Sequence, residues 1–514
     1  MSAHTVQIFG AARAPQVFRT PRATARGARE PAPARSARPV PAPAASRASW
    51  LTLAAAVTAT AAFFVIYAVP DAILFMSCSL VLALACVTFV VLHRPGETLM
   101  AAKVASLLYA ASFCYAPIWL YDKGAFRVPY YGLDPRPLMG VTSLVTLAGY
   151  LVFLAGYFVV LRLLRSQWSA TDVPPEVAAR QRRIALIFAV PMTLIGAFCY
   201  VKLVAGSGGL THLLNYSGGR ADILSGTYGG WFWGAHVLFV AYGLIAVASI
   251  ARHPWLCLVL ALALAAVFVP LQGRDIVVGP VFCWLLFYHT LRKPLRWRTV
   301  AVGALVIVLI AAMLAAFRTG GNRLAMHDGG SFVSAFSENA GKHLTGVVSA
   351  NIDQLDTAMI AVRYVELHDE TIGPAALMSW LAPISRQFFG GTIPFIYTGV
   401  FMDLLVVPQH RGWNTALSPS LPGELYISLG WPGLGVGLLL FGALFALFTC
   451  WSDRRALRPL LFAAYPFVVY MSAKMIVDGT THAFRPLIVF IAALACALLA
   501  PSPAPKRAAA DLRP

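Results

Sequence analysis

Apolar runs of about twenty residues follow one another from residue 50 to residue 500, separated for the most part by short polar segments. About twenty consecutive apolar residues cross a bilayer as a helix. The pattern predicts helices at about 50–69, 71–92, 98–120, 137–161, 184–205, 231–251, 255–271, 275–290, 299–317, 430–451, 458–476 and 483–500. The expected fold class is all-α, a polytopic integral membrane protein with about 12 transmembrane helices and one large external loop between helices 9 and 10. No self-similar period of the length that marks repeat architectures is visible.

That loop, residues 318–425, is about a hundred residues of mixed polar and apolar sequence. It opens FRTGGNR (Phe317 to Arg323) and closes QHRGWNTALSPSLPGELY (Gln409 to Tyr426), so both ends bring arginine to the membrane boundary. Within it Ile352, Leu355, Met359 and Val362 recur at helical spacing, with Asp353, Asp356 and Arg363 off the stripe. This predicts an amphipathic helix lying on the membrane face or on the bundle. The stretch Gly390 to Val407 is apolar enough to dip into the interface.

Charge sets the orientation. The chain carries +19 overall, most of it in the first 49 residues and in alternate loops. Those loops hold Arg94, then Arg162 to Arg183, Arg252, Arg292 to Arg298, Arg454 to Arg458, and Lys506 to Arg513. Basic loops stay on the cytoplasmic side. Both termini are therefore expected in the cytoplasm and residues 318–425 outside. A full span at 390–407 would turn the last three helices over and expose Arg454, Arg455 and Arg458, against that rule. Residues 1–49, rich in Ala, Arg and Pro with the single acid Glu30, are read as a disordered basic cytoplasmic tail. Their basic stretch is too long for a cleavable signal peptide. The remaining divisions are helices 1–9 over 50–317, helices 10–12 over 426–500 and a cytoplasmic tail over 501–514. Basic charge spread in this way speaks against a nucleic-acid partner.

The eight cysteines all fall in predicted spans and none forms a CxxC pair, so they read as small buried apolar residues. No GxxxxGK[ST], GxSxG or HExxH string occurs, which argues against a transport ATPase, a serine hydrolase and a zincin. No metal-ligand spacing is present, and no cofactor is expected.

The arginines on the outside run against the orientation rule. They are Arg220 in SGGRADILSGTYGG, Arg274 in the tight turn LQGRDIVVGP, Arg318 and Arg323 at the opening of the loop, and Arg411 near its close. A guanidinium fork suits bidentate phosphate recognition. The alternative for each is pairing with an acid, as Asp275 would allow for Arg274, or snorkelling to headgroups. Candidate bases on that side include His410 and Glu424, the latter where the loop re-enters the membrane in SLPGELYISLGWPGLG. An ionisable group there is costly unless used or paired. The alternative for Glu424 is a carboxylate favoured by the helix start. Lys474, Asp478, His482 and Arg485 gather at the last outside turn, where they can pair with one another.

In layout and in short motifs the chain resembles bacterial O-antigen and exopolysaccharide polymerases of the Wzy type. The motifs are Gly273–Arg274 opening a helix that ends in the basic turn FYHTLRKPLRWR, and PGELYISLGWPGLGVG (Pro422 to Gly437) after the large loop. The resemblance covers most of residues 200–450. It implies a metal-independent inverting glycosyltransferase of the bacterial inner membrane. Its substrates would be an undecaprenyl-pyrophosphate-linked oligosaccharide donor and acceptor, with a chain-length regulator and a flippase as further partners. Carried onto this chain, Arg220, Arg274, Arg318 and Arg411 would hold the pyrophosphate. Glu424 or His410 would activate the acceptor hydroxyl.

Two other readings share the layout. An O-antigen ligase differs only in its acceptor. A lipid-linked oligosaccharide flippase or transporter would suit the helix count, but such proteins are built from similar halves with ionisable groups near the midplane. Here the large loop is off-centre, and Lys103 is one of few charges inside a predicted span.

Overall fold

The computed structural model describes residues 47–69, 72–122, 136–165, 175–210, 229–271, 274–318, 354–381, 398, 401–402, 405, 418–454, 458–480 and 483–500. All regular structure among them is helical. In chain order the helices are α1 (Arg47–Ile66), α2 (Ile73–Leu92), α3 (Ala101–Ala110), α4 (Ala116–Asp122), α5 (Arg136–Arg165) and α6 (Pro175–Gly206). There follow α7 (Gly229–Ala235), α8 (Val237–Ser249), α9 (Pro254–Phe268), α10 (Arg274–Leu291), α11 (Trp297–Arg318) and α12 (Leu355–His368). The last four are α13 (Leu421–Asp453), α14 (Pro459–Phe462), α15 (Tyr465–Asp478) and α16 (Phe484–Leu499). A π-helical turn, Ala111–Tyr115, joins α3 to α4.

Among the described residues, eight helices are long and apolar enough to cross a membrane. Their outward faces are apolar too: Leu51, Val65, Ile66, Leu163, Ile187, Leu194, Trp255, Val259, Val436 and Leu440 are all exposed. Water would penalise so large an apolar surface, whereas hydrocarbon accepts it. All eight cysteines are free, and seven of them are buried.

The centre of the bundle is the seam between α5 and α13. Gly156 packs against the Leu439 backbone and Gly442 against the Phe153 carbonyl, so a side chain at either position would push the helices apart. Small residues permit such close approach in apolar helices. Phe153, Phe441 and Phe445 fill the seam beside them, their ring centroids 5.0–6.0 Å apart.

At one end of the seam, Arg94 grips Asp453 with two hydrogen bonds of 2.9 and 3.0 Å and also reaches Glu97. Thr98 donates to the Leu295 carbonyl at 2.6 Å, and the Leu295 N–H donates to His289 Nδ1 at 2.9 Å. The loops after α2, α10 and α13 thus meet at one end of the molecule.

Three expectations are corrected. Lys103 is not an isolated charge in mid-span; it lies in the first turn of α3 and donates to the Arg94 carbonyl at 3.0 Å. Helical structure after the large loop begins at Leu421, ahead of the expected span, whose start near residue 430 coincides with a break at Gly430, so Glu424 and Leu425 are helical. In α12 the predicted stripe residues Leu355, Met359 and Val362 are buried, but so is Asp356, predicted to face away. Helix α12 packs against both α5 and α13 and so has little polar face left at its start. Ile352 and Asp353 lie outside the described residues, as do most of residues 390–407.

Candidate functional site

Helix α13 is one continuous stretch only in outline. Gly430 has φ 64° and ψ −148°, outside helical space, and Pro432 follows two residues later. A proline has no N–H for the carbonyl four residues back, here that of Ser428. The turn at Gly430 likewise takes the Trp431 N–H away from Ile427. Both carbonyls find donors elsewhere: Ile372 N–H reaches Ile427 O and Gly373 N–H reaches Ser428 O, each at 3.0 Å. The segment after α12 thereby completes the broken helix. Only a glycine tolerates the Gly430 backbone without strain.

The short N-terminal arm, Leu421 to Leu429, begins on Ser420, whose φ of 53° and ψ of 149° are strained for a residue with a side chain. Its Oγ accepts from Gly423 N–H at 3.2 Å as a helix cap, and its own N–H donates to Val477 O at 3.2 Å. The arm is therefore anchored to the end of α15.

One turn on stands Glu424, with no exposed surface. Its carboxylate does not point along its own helix. Oε1 accepts from the Thr398 hydroxyl at 3.2 Å and from the Thr480 hydroxyl at 3.0 Å, while Oε2 accepts from the Thr480 N–H. Burying a bare carboxylate costs several kcal/mol, on the order of the desolvation penalty of one ion. Hydrogen bonds to charged groups return about 1.5–3 kcal/mol each. Three donors thus make the buried carboxylate tolerable and leave one of its roughly four acceptor sites unfilled.

Gly479 makes the contact possible. Its φ is 71°, and a Cβ there would meet Glu424 Oε2 at 2.5 Å and Pro419 Cγ at 2.7 Å. Nearby, Lys474 and Asp478 form an ion pair on α15. Arg485, fully buried, lies over the rings of Trp233 and Phe232 at 5.6 and 5.8 Å.

Of the six residues expected from sequence to form the site, Glu424 is the one whose side chain is described. Arg274 opens α10, and Arg318 closes α11. Helix α10 runs antiparallel to the chain of α14 and α15, with Gly279 and Phe282 beside Tyr470 of α15 and Phe287 beside Phe462 of α14. That register brings the start of α10 to the same end of the bundle as Asp478, Gly479 and Glu424. The side chains of Arg274 and Arg318, and the whole of Arg220, His410 and Arg411, lie outside the described residues, as does His482.

Sequence reasoning missed Thr398, Ser420, Gly479 and Thr480. Each belongs to a residue type common in turns, and only their meeting in space marks them. Among the described residues no group of three or more His, Cys, Asp or Glu side chains is placed to hold a metal ion. Comparison with family models, with curated proteins and with solved structures gave no match in any of the three.

Proposed function

We propose that this chain is a polysaccharide repeat-unit polymerase. It joins undecaprenyl-pyrophosphate-linked oligosaccharides at the outer face of a bacterial inner membrane. Its twelve spans would have both termini in the cytoplasm and residues 318–425 outside, between the ninth and tenth. In the reaction an acceptor hydroxyl oxygen attacks the donor's anomeric carbon. The bond from that carbon to the pyrophosphate oxygen breaks, the hydroxyl proton passes to a base, and undecaprenyl pyrophosphate leaves.

The observation that carries this reading is the buried carboxylate of Glu424 where the chain of the large segment enters the bundle, at the end where α10 begins with Arg274. An arginine there suits a pyrophosphate, whose charge grows as it leaves. The loops after α2, α10 and α13 gather at the opposite end, and those after α10 and α13 are basic, as cytoplasmic loops are. With Arg274, Arg220, Arg318 and Arg411 would complete the anion site. Glu424 or His410 would receive the proton. Three donors hold Glu424 in place, so it also fixes the arm of α13 against the last hairpin.

A second reading has one observation in its favour. A membrane helix broken at Gly430 and Pro432, with a buried acid six residues before the break, is also how transporters build substrate sites. The reading as an oligosaccharide flippase is separated by glycan length in cells carrying only Arg274→Ala, with membrane abundance measured alongside. Collapse of polymer to single repeats at normal protein level supports the polymerase. Normal polymer removes Arg274 from the site, and loss of even single repeats from the outer face favours the flippase.

A further inference from the structure

Buried hydroxyls in helices usually donate to the carbonyl three or four residues back. Among the buried ones Ser106, Thr146 and Thr449 do so here, at 2.9–3.0 Å, as do the less buried Thr193 and Thr290 at 2.7–2.8 Å. Five others do not. Ser79, Ser112, Thr142, Ser143 and Ser428 are each at most 1% exposed, and their hydroxyl oxygens have no hydrogen-bond partner. They are the only buried hydroxyls in that condition among the described residues. Such groups are costly, and a native structure rarely keeps them without a use.

Their positions along the helices coincide. Tyr109 donates to the Thr146 carbonyl across the antiparallel pair α3–α5, and three residues along each helix from that contact lie Ser112 and Ser143. Gly149 lies against Leu438 and Leu434 across the parallel pair α5–α13, so the arm of α13 before Gly430, which carries Ser428, stands at the end of the bundle where α5 begins, with Ser143 in its second turn. Gly140 lies against Leu74 across the parallel pair α5–α2, which puts Ser79 within a turn of Ser143. Four elements therefore bring five unsatisfied hydroxyls to one level of the bundle. Ser428 shares a helix face with Glu424, one turn deeper. Ser112 belongs to the π-helical turn, a distortion common at functional sites. Next to it Phe113, Tyr109 and Tyr150 form an aromatic floor with centroids 4.7 and 5.2 Å apart.

We propose that this hydroxyl layer is the subsite for the sugar of the lipid-linked substrate, an inference that rests on the polymerase reading above. A sugar offers several neutral groups that each donate and accept, which is what five neutral hydroxyls require. A pyrophosphate would need cations, and the layer contains none. Helix α12 packs over this level and is pinned to it, since the Gln354 N–H donates to Ser112 O at 3.2 Å.

The test uses the full-length protein in a polyoxyethylene detergent, with thermal unfolding followed as octyl glucoside is added. Without glucoside, Ser143→Ala and Ser428→Ala remove an unsatisfied group and raise Tm by about 2 °C each. Octyl glucoside raises the Tm of the wild type and of the Thr193→Ala control, and the paired Ser143→Ala/Ser428→Ala variant loses that rise. If the serine variants are less stable without glucoside, the hydroxyls are satisfied in the free protein and the proposal falls. It also falls if the glucoside-dependent rise survives in the paired variant. No glycosyl transfer is involved in this readout. A lost rise together with loss of even single repeats from the outer face of Arg274→Ala cells keeps the sugar subsite and sinks the polymerase. An unchanged rise with collapsed polymer does the reverse.

Discussion

Glu424 takes both the backbone N–H and the hydroxyl of Thr480, a residue fifty-six positions further along the chain. This one carboxylate binds the head of α13 to the turn between α15 and α16, and through Thr398 it also holds the segment between α12 and α13.

Removing the carboxylate should therefore cost more than removing a surface acid. Glu424→Ala leaves the Thr480 N–H without its acceptor, and the expected loss of stability is about 3 kcal/mol. Glu424→Gln keeps the shape but turns an amide donor toward donors, and is expected to recover less than half of that loss. Thermal unfolding in detergent compares the two; equal stability of wild type and alanine variant would show that the bonds contribute nothing.

Gly479→Ala should be destabilising through the positive φ and through overlaps with Pro419 Cγ and Glu424 Oε2. A Cβ at positive φ costs roughly 1 kcal/mol. The overlap with Oε2 disappears when Glu424 is truncated, so Gly479→Ala should cost less in a Glu424→Ala background. A double-mutant cycle reads this coupling; strict additivity would mean that the two side chains do not meet.

The break in α13 makes a third expectation. Gly430→Ala forces a side chain into its non-helical backbone, at a cost of about 1–3 kcal/mol. Pro432→Ala restores an N–H that competes with Gly373 for Ser428 O. The pair together should straighten the helix and release residues 372–373, seen as faster hydrogen exchange of the Ile372 and Gly373 amides. Unchanged protection at those two amides would contradict it.

At the opposite end, Arg94 and Asp453 form a bidentate but half-exposed pair. Such pairs contribute about 0–1 kcal/mol. Arg94 also has φ 44°, which a glycine adopts freely. Arg94→Gly is therefore expected to be at least as stable as Arg94→Ala, although both lose the ion pair. The reverse order in a thermal melt would show that the backbone at residue 94 is unstrained.

Much of the helical layout could be read from the chain alone, because a span needs only a sufficient run of apolar residues and each run carries that information locally. The amphipathic stripe of Leu355, Met359 and Val362 was legible for the same reason. Asp356 was not: its burial follows from α12 being enclosed by α5 and α13. The span after the large loop was expected to begin near residue 430, where Gly430 does break the helix; the helical arm before it was hidden, because the Ile372 and Gly373 amides that satisfy its last carbonyls come from a segment distant in the chain.

The candidate site divides in the same way. Sequence singled out Glu424, since a carboxylate at a membrane boundary is costly wherever it stands. Its partners were hidden, because Thr398, Gly479 and Thr480 are unremarkable in their own neighbourhoods. The five unsatisfied hydroxyls were equally invisible: a serine in an apolar helix reads the same whether it bonds its own backbone or faces an empty partner. By itself, then, the sequence determined the apolar helices and the cost of one acid, both properties of local composition. Only the tertiary structure decided which donors meet that acid and which hydroxyls share a level, because those depend on the register of helices distant in the chain.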